Sequence, residues 1–290
     1  MKKINTLLFL LLLITILPLV VNAEEVISTN DYIVNQNNVM ISTSDYENLS
    51  RVYSDAYLMV MTQDNYDYLK TKDFSNVVSQ TKYIETTYNN SLGIVTSREL
   101  TEAEYNNVDV SNVSTMGYDY IETTYKKISL YVDKGTMAAD CTITCVWKGI
   151  PSTRSFDVIG IRFQNYNVSH GTQTGQQIYK KSGSSDYSSV VYSATGTNIN
   201  RQDNGYGISM NIVNDSITYL ELTTNTSAVM GTGTIAVYAS YQHATDSLTL
   251  AQSKNYTLGA AGLGNVFIYP YSISQHYDGT GGVQVLGWIK

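Results

Sequence analysis

The sequence has 290 residues, 43% of them hydrophobic and only 15% charged, with two Cys, three Pro, 25 Tyr and a formal charge of −7. It is too apolar for a disordered tail and too poor in Cys for a disulfide scaffold. Its acidity also lacks the basic footprint that an electrostatic nucleic-acid binder needs, so no nucleic-acid partner is expected.

Met1-Lys2-Lys3 is a short basic start, Leu7 to Val21 is almost continuously apolar, and Val21-Asn22-Ala23 offers the residues a signal peptidase reads. Residues 1–23 therefore read as a secretory signal peptide. An uncleaved anchor would want about 20 spanning residues, and this run is short for that. After cleavage the chain is expected to be secreted, extracellular and without an integral membrane segment. Loss of Lys2 and Lys3 leaves 16 bases against 25 acids, a charge of −9. Residues 24–125 hold 16 acids and five bases, whereas residues 126–290 hold nine acids and 11 bases. This asymmetry suggests an acidic accessory or pro-region over 24–117 and a second domain over 118–290.

The acidic region reads as short helices and strands. Ser44-Asp45-Tyr46-Glu47 and Thr101-Glu102-Ala103-Glu104 match capping boxes, and Thr62 is placed to start a helix through Tyr66 and Leu69. Helices this short must pack on something to persist. Tyr-Ile-Glu-Thr-Thr-Tyr occurs at 83–88 and again at 120–125, with Ser-Asn-Val upstream of each copy at 75–77 and 111–113. Two copies are too few for a solenoid. They read as two related β-strands in preference to a repeated recognition segment.

From about residue 118 the hydrophobic period is two. Ile128, Leu130 and Val132 alternate with polar neighbours, Asp133-Lys134-Gly135 supplies a turn, and Cys141, Ile143, Cys145 and Trp147 alternate again. That is a hairpin with one apolar face. Asp203-Asn204-Gly205 marks a second hairpin, and Ile217–Leu222, Thr234–Tyr241, Val266–Tyr269 and Val283–Ile289 are further strands. The predicted fold is mainly β: an antiparallel β-sandwich, jelly-roll-like, with a small α+β N-terminal region. Cys141 and Cys145 lie four apart in a strand, about 13 Å between Cα atoms. A disulfide tolerates less than about 7 Å, so both are expected to be free and buried.

The chemistry-bearing residues are sparse. Neither His-x-x-x-His nor Cys-x-x-Cys spacing occurs, nor a nucleophile elbow, P-loop or dinucleotide fingerprint. No cofactor and no metal site is expected, and no catalytic residue is assigned. His243 with Asp246, or His276 with Asp278, has the spacing for a base and its orienter, although each also reads as a strand end or turn. Glu221, the sole Glu after Glu122, reads as an exposed strand position, with a sugar or cation contact as the sharper alternative. In the string Trp147-Lys-Gly-Ile-Pro151-Ser-Thr-Arg154-Ser-Phe-Asp157-Val-Ile159, Pro151 turns the chain, Arg154 and Asp157 are placed to pair across the corner, and Trp147 caps the core.

That string, with Ser240-Tyr-Gln-His243-Ala and Ala251-Gln-Ser-Lys-Asn-Tyr256, resembles uncharacterised secreted β-rich proteins of Gram-positive bacteria over about residues 120–285. The resemblance implies secretion and a shared β-fold, and carries no activity with it. The functional lead is tyrosine, whose flat apolar face and hydroxyl suit sugar stacking or protein recognition. Tyr241, His243, Tyr256, Tyr269, Tyr271 and Tyr277 are the candidate ligand-binding residues. The expected function is a secreted, non-enzymatic binder of a glycan or another cell-surface component. The alternatives are a secreted antibacterial or membrane-active β-sandwich toxin, in which Gly231–Tyr241 contributes to assembly, and a secreted hydrolase. The sequence leaves the oligomeric state open.

Overall fold

The computed structural model describes residues 31–89, 92–110, 121–135, 138–164, 166–229, 233–259, 266–279 and 282–289. The signal segment, the second Ser-Asn-Val and Tyr120 lie outside the described residues. Among the described residues there are seventeen strands, joined by short helices. The first strands, β1 (Tyr32–Val34) and β2 (Met40–Ser42), form a small ribbon and lead into α1 (Thr43–Leu49), α2 (Asp55–Val60) and α3 (Gln63–Leu69). Ser42, not Ser44, caps α1, because its hydroxyl is the one that accepts from the Asp45 amide. Thr62 caps α3 as expected, and the Thr101–Glu104 capping box opens α4 (Glu102–Asn107) with both reciprocal bonds made.

Next come β3 (Val78–Asn89), β4 (Ile94–Leu100), β5 (Ile121–Lys134), β6 (Ala138–Trp147), β7 (Phe156–Gln164), β8 (Asn167–Val168), β9 (Thr174–Lys181) and β10 (Tyr187–Tyr192). They are followed by β11 (Ile199–Gln202), β12 (Gly205–Asn211), β13 (Ile217–Val229), β14 (Gly233–Gln242), β15 (Thr257–Leu258), β16 (Phe267–Ile268) and β17 (Val283–Ile289). Two short helices, α5 (Leu250–Ser253) and α6 (Tyr271–Ser274), lie in the last third. An eight-stranded sheet runs β10-β9-β13-β6-β5-β3-β4 with β8 beside β13, and a five-stranded sheet runs β11-β12-β7-β14-β17. Every strand pair in both is antiparallel.

The predicted hairpins are present in register. Ile128 faces Cys145, Leu130 faces Ile143 and Val132 faces Cys141, while Gln202 meets Gly205 across the Asp203-Asn204 turn. Both cysteines are free and buried. The sheet spans both sides of residue 118, since β3 pairs along its whole length with β5. Within that pairing the two hexapeptide copies are antiparallel neighbours, with Thr86 opposite Thr124 and Thr87 opposite Thr123. The duplicated string thus folds into a local two-fold pair of strands.

The sheets pack face to face. Ile128, Leu130, Ile143 and Trp147 of the large sheet share one core with Ile159, Ile161, Phe163, Val237 and Tyr241 of the small one. Each outer face carries its own cover. The α1–α3 layer lies on the large sheet, where its core meets Ile178, Tyr131, Tyr187 and Tyr219. Residues 244–259 and 266–277 supply Ala244, Leu248, Tyr256, Phe267, Ile273 and Tyr277, which pack over Val158, Ala236 and Tyr238 of the small sheet. Gly160 and Gly207, which are register partners, form the floor of this second cover. A Cβ on Gly207 would run into the Tyr256 hydroxyl and lie 2.6 Å from the Phe267 ring, so these aromatics rest directly on the backbone. Among the described residues no helix is long and apolar enough to cross a membrane.

Candidate ligand cavity and buried charge cluster

The outer face of the large sheet is polar along its middle strands. Ala139, Cys141, Ile143 and Cys145 of β6 and Leu222 and Ala228 of β13 face the core, so by alternation Asp140, Thr142 and Thr144 and, opposite them, Ser227, Asn225 and Thr223 all point to the helical layer. These groups satisfy one another: Thr142 Oγ1 donates to Asn225 Oδ1 at 2.7 Å, and Thr144 and Thr223 hydroxyls meet at 3.2 Å. The helical layer adds Tyr53, whose hydroxyl donates to the same Asn225 oxygen at 3.2 Å and whose ring stacks on Tyr57 at 4.5 Å.

Glu221 anchors this layer. It is buried, which corrects the expectation of an exposed strand position. Ser54 Oγ donates to it at 2.6 Å, Tyr219 OH at 2.5 Å and Thr223 Oγ1 at 3.0 Å. Ser54 also caps α2 by accepting from the Tyr57 amide at 3.0 Å, so a single hydroxyl ties the helix start to the sheet. Burial pushes the Glu221 carboxyl up, and the three hydroxyl bonds pull it back only in part.

Layer and sheet do not close completely. Between them lies a cavity of about 320 Å³ lined by Tyr53, Tyr57, Tyr68, Phe74 and Tyr131 and by Lys72, Asp133, Asp140, Thr142 and Asn225. Lys72 Nζ donates to Asp140 Oδ2 at 2.7 Å and sits 4.9 Å from the centre of the Tyr68 ring. Against the effect of burial, that carboxylate raises the Lys72 ammonium. Asp133, the cross-strand partner of Asp140, is pushed up by burial and then by the Asp140 charge. The cavity therefore presents flat aromatic faces beside a cation, two carboxyls, an amide and hydroxyls.

The residues picked out from sequence lie elsewhere. Tyr256, Tyr269 and Tyr277 belong to the cover on the small sheet, where Tyr269 stacks on Tyr277 at 4.7 Å and meets Tyr256 edge-on at 5.4 Å. Tyr271 alone of the six is well exposed, at 84%. Tyr241 and His243 lie in a buried cluster at one end of the sandwich interior. Asp157 holds it together: both its oxygens lie 3.0 Å from His243 Nδ1, it accepts from the Tyr241 hydroxyl, and Oδ1 accepts from the Ala244 amide at 2.9 Å. Trp147 Nε1 donates to Tyr241 OH at 3.0 Å. Lys126 Nζ donates to Asp278, whose other oxygen accepts from the His243 amide at 3.1 Å.

Three pairings expected from spacing are thereby corrected. Arg154 does not reach Asp157 but donates to the carbonyls of Pro151, Val213 and Asp215. Asp157 is instead in phase with Ile159 and Ile161 and faces the interior. His243 pairs with Asp157 and not Asp246, while Asp246 lies 3.3 Å from His276. Asp278 turns inward to Lys126, away from His276. Trp147 lies in the core.

No family model and no curated protein matches the chain. Among solved structures, TmCBM61 in complex with beta-1,4-galactotriose is similar over 56% of this chain and 82% of its own, at 11% identity and a TM-score of 0.17. At that level the likeness carries no argument, and the antiparallel sandwich rests on the strand pairings themselves.

The cavity residues escaped the sequence reading because they come from two regions far apart in the chain. Tyr57 and Tyr68 sit on α2 and α3 and Tyr53 on the turn between α1 and α2, and no motif announces the docking face of any of them. A weaker signal did exist, in the alternation of Asp140, Thr142 and Thr144 with buried apolar residues, which exposes a polar stripe to whatever covers that face.

Proposed function

We propose that this is a secreted, non-enzymatic binding protein that takes the end of a glycan, or another polyhydroxylated cell-surface component, into the cavity between the helical layer and the large sheet. Secretion is inferred from the apolar Leu7–Val21 run and from the likeness of the Trp147–Ile159 string to secreted proteins of Gram-positive bacteria. The observation that carries the binding reading is the composition of the cavity wall. Tyrosine faces offer stacking for sugar C–H surfaces, while Asp140, Lys72 and Asn225 offer the directional bonds that hydroxyl groups need. Its volume lies at the small end of ligand pockets, about 300–1,000 Å³, and suits a chain end better than an extended polymer.

The test is binding of the mature protein to a panel of wall and host glycans, followed by calorimetry on each hit. Tyr68 lines the mouth and is 54% exposed, so Tyr68→Ala leaves the core intact. It is expected to weaken a true ligand by roughly 3- to 10-fold, the worth of one aromatic contact. Absence of any retained glycan, or full affinity in Tyr68→Ala, counts against the reading.

A second reading, hydrolysis in the same cavity, is favoured by the cross-strand Asp133–Asp140 pair, in which one carboxyl is raised while the other faces a lysine. Release of product from a bound glycan, abolished in Asp133→Asn, would establish it. An unchanged ligand after prolonged incubation would dismiss it.

A further inference from the structure

We propose that Lys126 and Asp278 form a covalent side-chain amide that ties β5 to the segment leading into β17. The two side chains are in contact and wholly enclosed, at 0% exposure each. Lys126 occupies an inward position of β5, in phase with Ile128, Leu130 and Val132, where the alternation calls for an apolar residue. The Trp147 and Tyr241 rings lie 5.0 and 5.5 Å from Nζ. Asp278 is held in place independently of Lys126, through the His243 amide on its Oδ1 and its own amide on the His243 carbonyl at 3.0 Å.

The chemistry follows from that enclosure. Amide formation runs between a neutral amine and a neutral carboxylic acid, the pair reached when one proton moves from Nζ to the carboxyl. These are the nucleophile and the electrophile of amide formation. The Nζ lone pair adds to Cγ, and the tetrahedral carbon then expels one carboxyl oxygen as water. That water carries away the carboxyl proton and one proton from Nζ. One C–N bond forms and one C–O bond breaks, with nothing oxidised or reduced and no co-reactant consumed. Fixed positioning supplies the rate, since effective molarities of oriented groups reach about 10⁵–10⁸ M. The product replaces a buried ion pair by a neutral amide and closes a loop between residues 152 apart in sequence.

Intact mass spectrometry of the purified, denatured full chain tests this, with its termini read from the same spectra. The expected wild-type mass is lower than the sequence mass by one water, and proteolysis yields a branched peptide joining Lys126 to Asp278. Lys126→Met and Asp278→Ala are expected at full sequence mass. The readout needs no folded variant, because the wild-type spectrum alone decides. A wild-type chain at full sequence mass with only linear peptides, or a water lost at any other residue, overturns the proposal.

Discussion

Replacing Glu221 with alanine removes the acceptor on which Ser54, Tyr219 and Thr223 converge. Three hydroxyls between helix and sheet then lose their acceptor, and each net hydrogen bond to a charged group is worth about 1.5–3 kcal/mol. Relief of the buried charge offsets part of that loss, which leaves a destabilisation of about 3 kcal/mol. For a chain of this size that corresponds to a fall in Tm of roughly 6–12 °C. The loss should be local in origin, so hydrogen exchange should accelerate first in the amides of α2, whose cap is Ser54. Glu221→Gln separates charge from bonding, because an amide keeps partners for the hydroxyls. Burial raises the Glu221 carboxyl above its ordinary value of 4.5, so the folded chain retains a proton that the unfolded chain has lost. Its contribution is therefore full below about pH 4.5 and declines as pH rises through the window up to the raised value. In Glu221→Gln this decline should disappear from urea midpoints measured across that window. A Glu221→Ala protein as stable as wild type, with unchanged exchange in α2, would refute the anchoring role.

Two further outcomes follow from the packing. Gly207→Val should destabilise the protein by about 1–3 kcal/mol, because its side chain enters the space of Tyr256 and Phe267; a variant with unaltered urea midpoint would contradict the contact. Burial pushes the Cys141 and Cys145 thiols well above their ordinary range. Both should therefore resist alkylation at pH 8 in the native state and react at the rate of unfolding, whereas rapid labelling of folded protein would show the β5–β6 packing to be wrong.

Local pattern carried the reading wherever the deciding partner lay close by. The β5–β6 hairpin, the Asp203-Asn204 turn, the Thr101 capping box and the unpaired cysteines all depend on residues within about twenty positions of one another, and each is as expected. The α1 cap shows the margin of such signals: Ser42 and Ser44 are two residues apart, and hydroxyl geometry selects the first. Tertiary partners were not legible in the same way. Lys126 and Asp157 stand at inward positions of strands, which marks them as anomalous, yet their partners at Asp278 and His243 lie 152 and 86 residues away. Tyrosine abundance was visible, but which tyrosines are free is decided by the covers on the two outer faces. The described residues around Tyr256 and Tyr277 hold only two-residue strands and four-residue helices, too short for a periodic signal.

The central claim is that the space between the α1–α3 layer and the large sheet is where a surface glycan binds. Thr174 lines that space, is exposed, and lies opposite Asn225 on the outer face of the sheet. Thr174→Trp should fill the mouth without entering the core. Titration of wild type and Thr174→Trp with a retained glycan, followed by ligand-detected NMR, should show saturable binding to wild type. The Thr174→Trp protein should lose at least tenfold in affinity at an unchanged Tm. Equal affinity in the two proteins would place the ligand elsewhere and contradict the account.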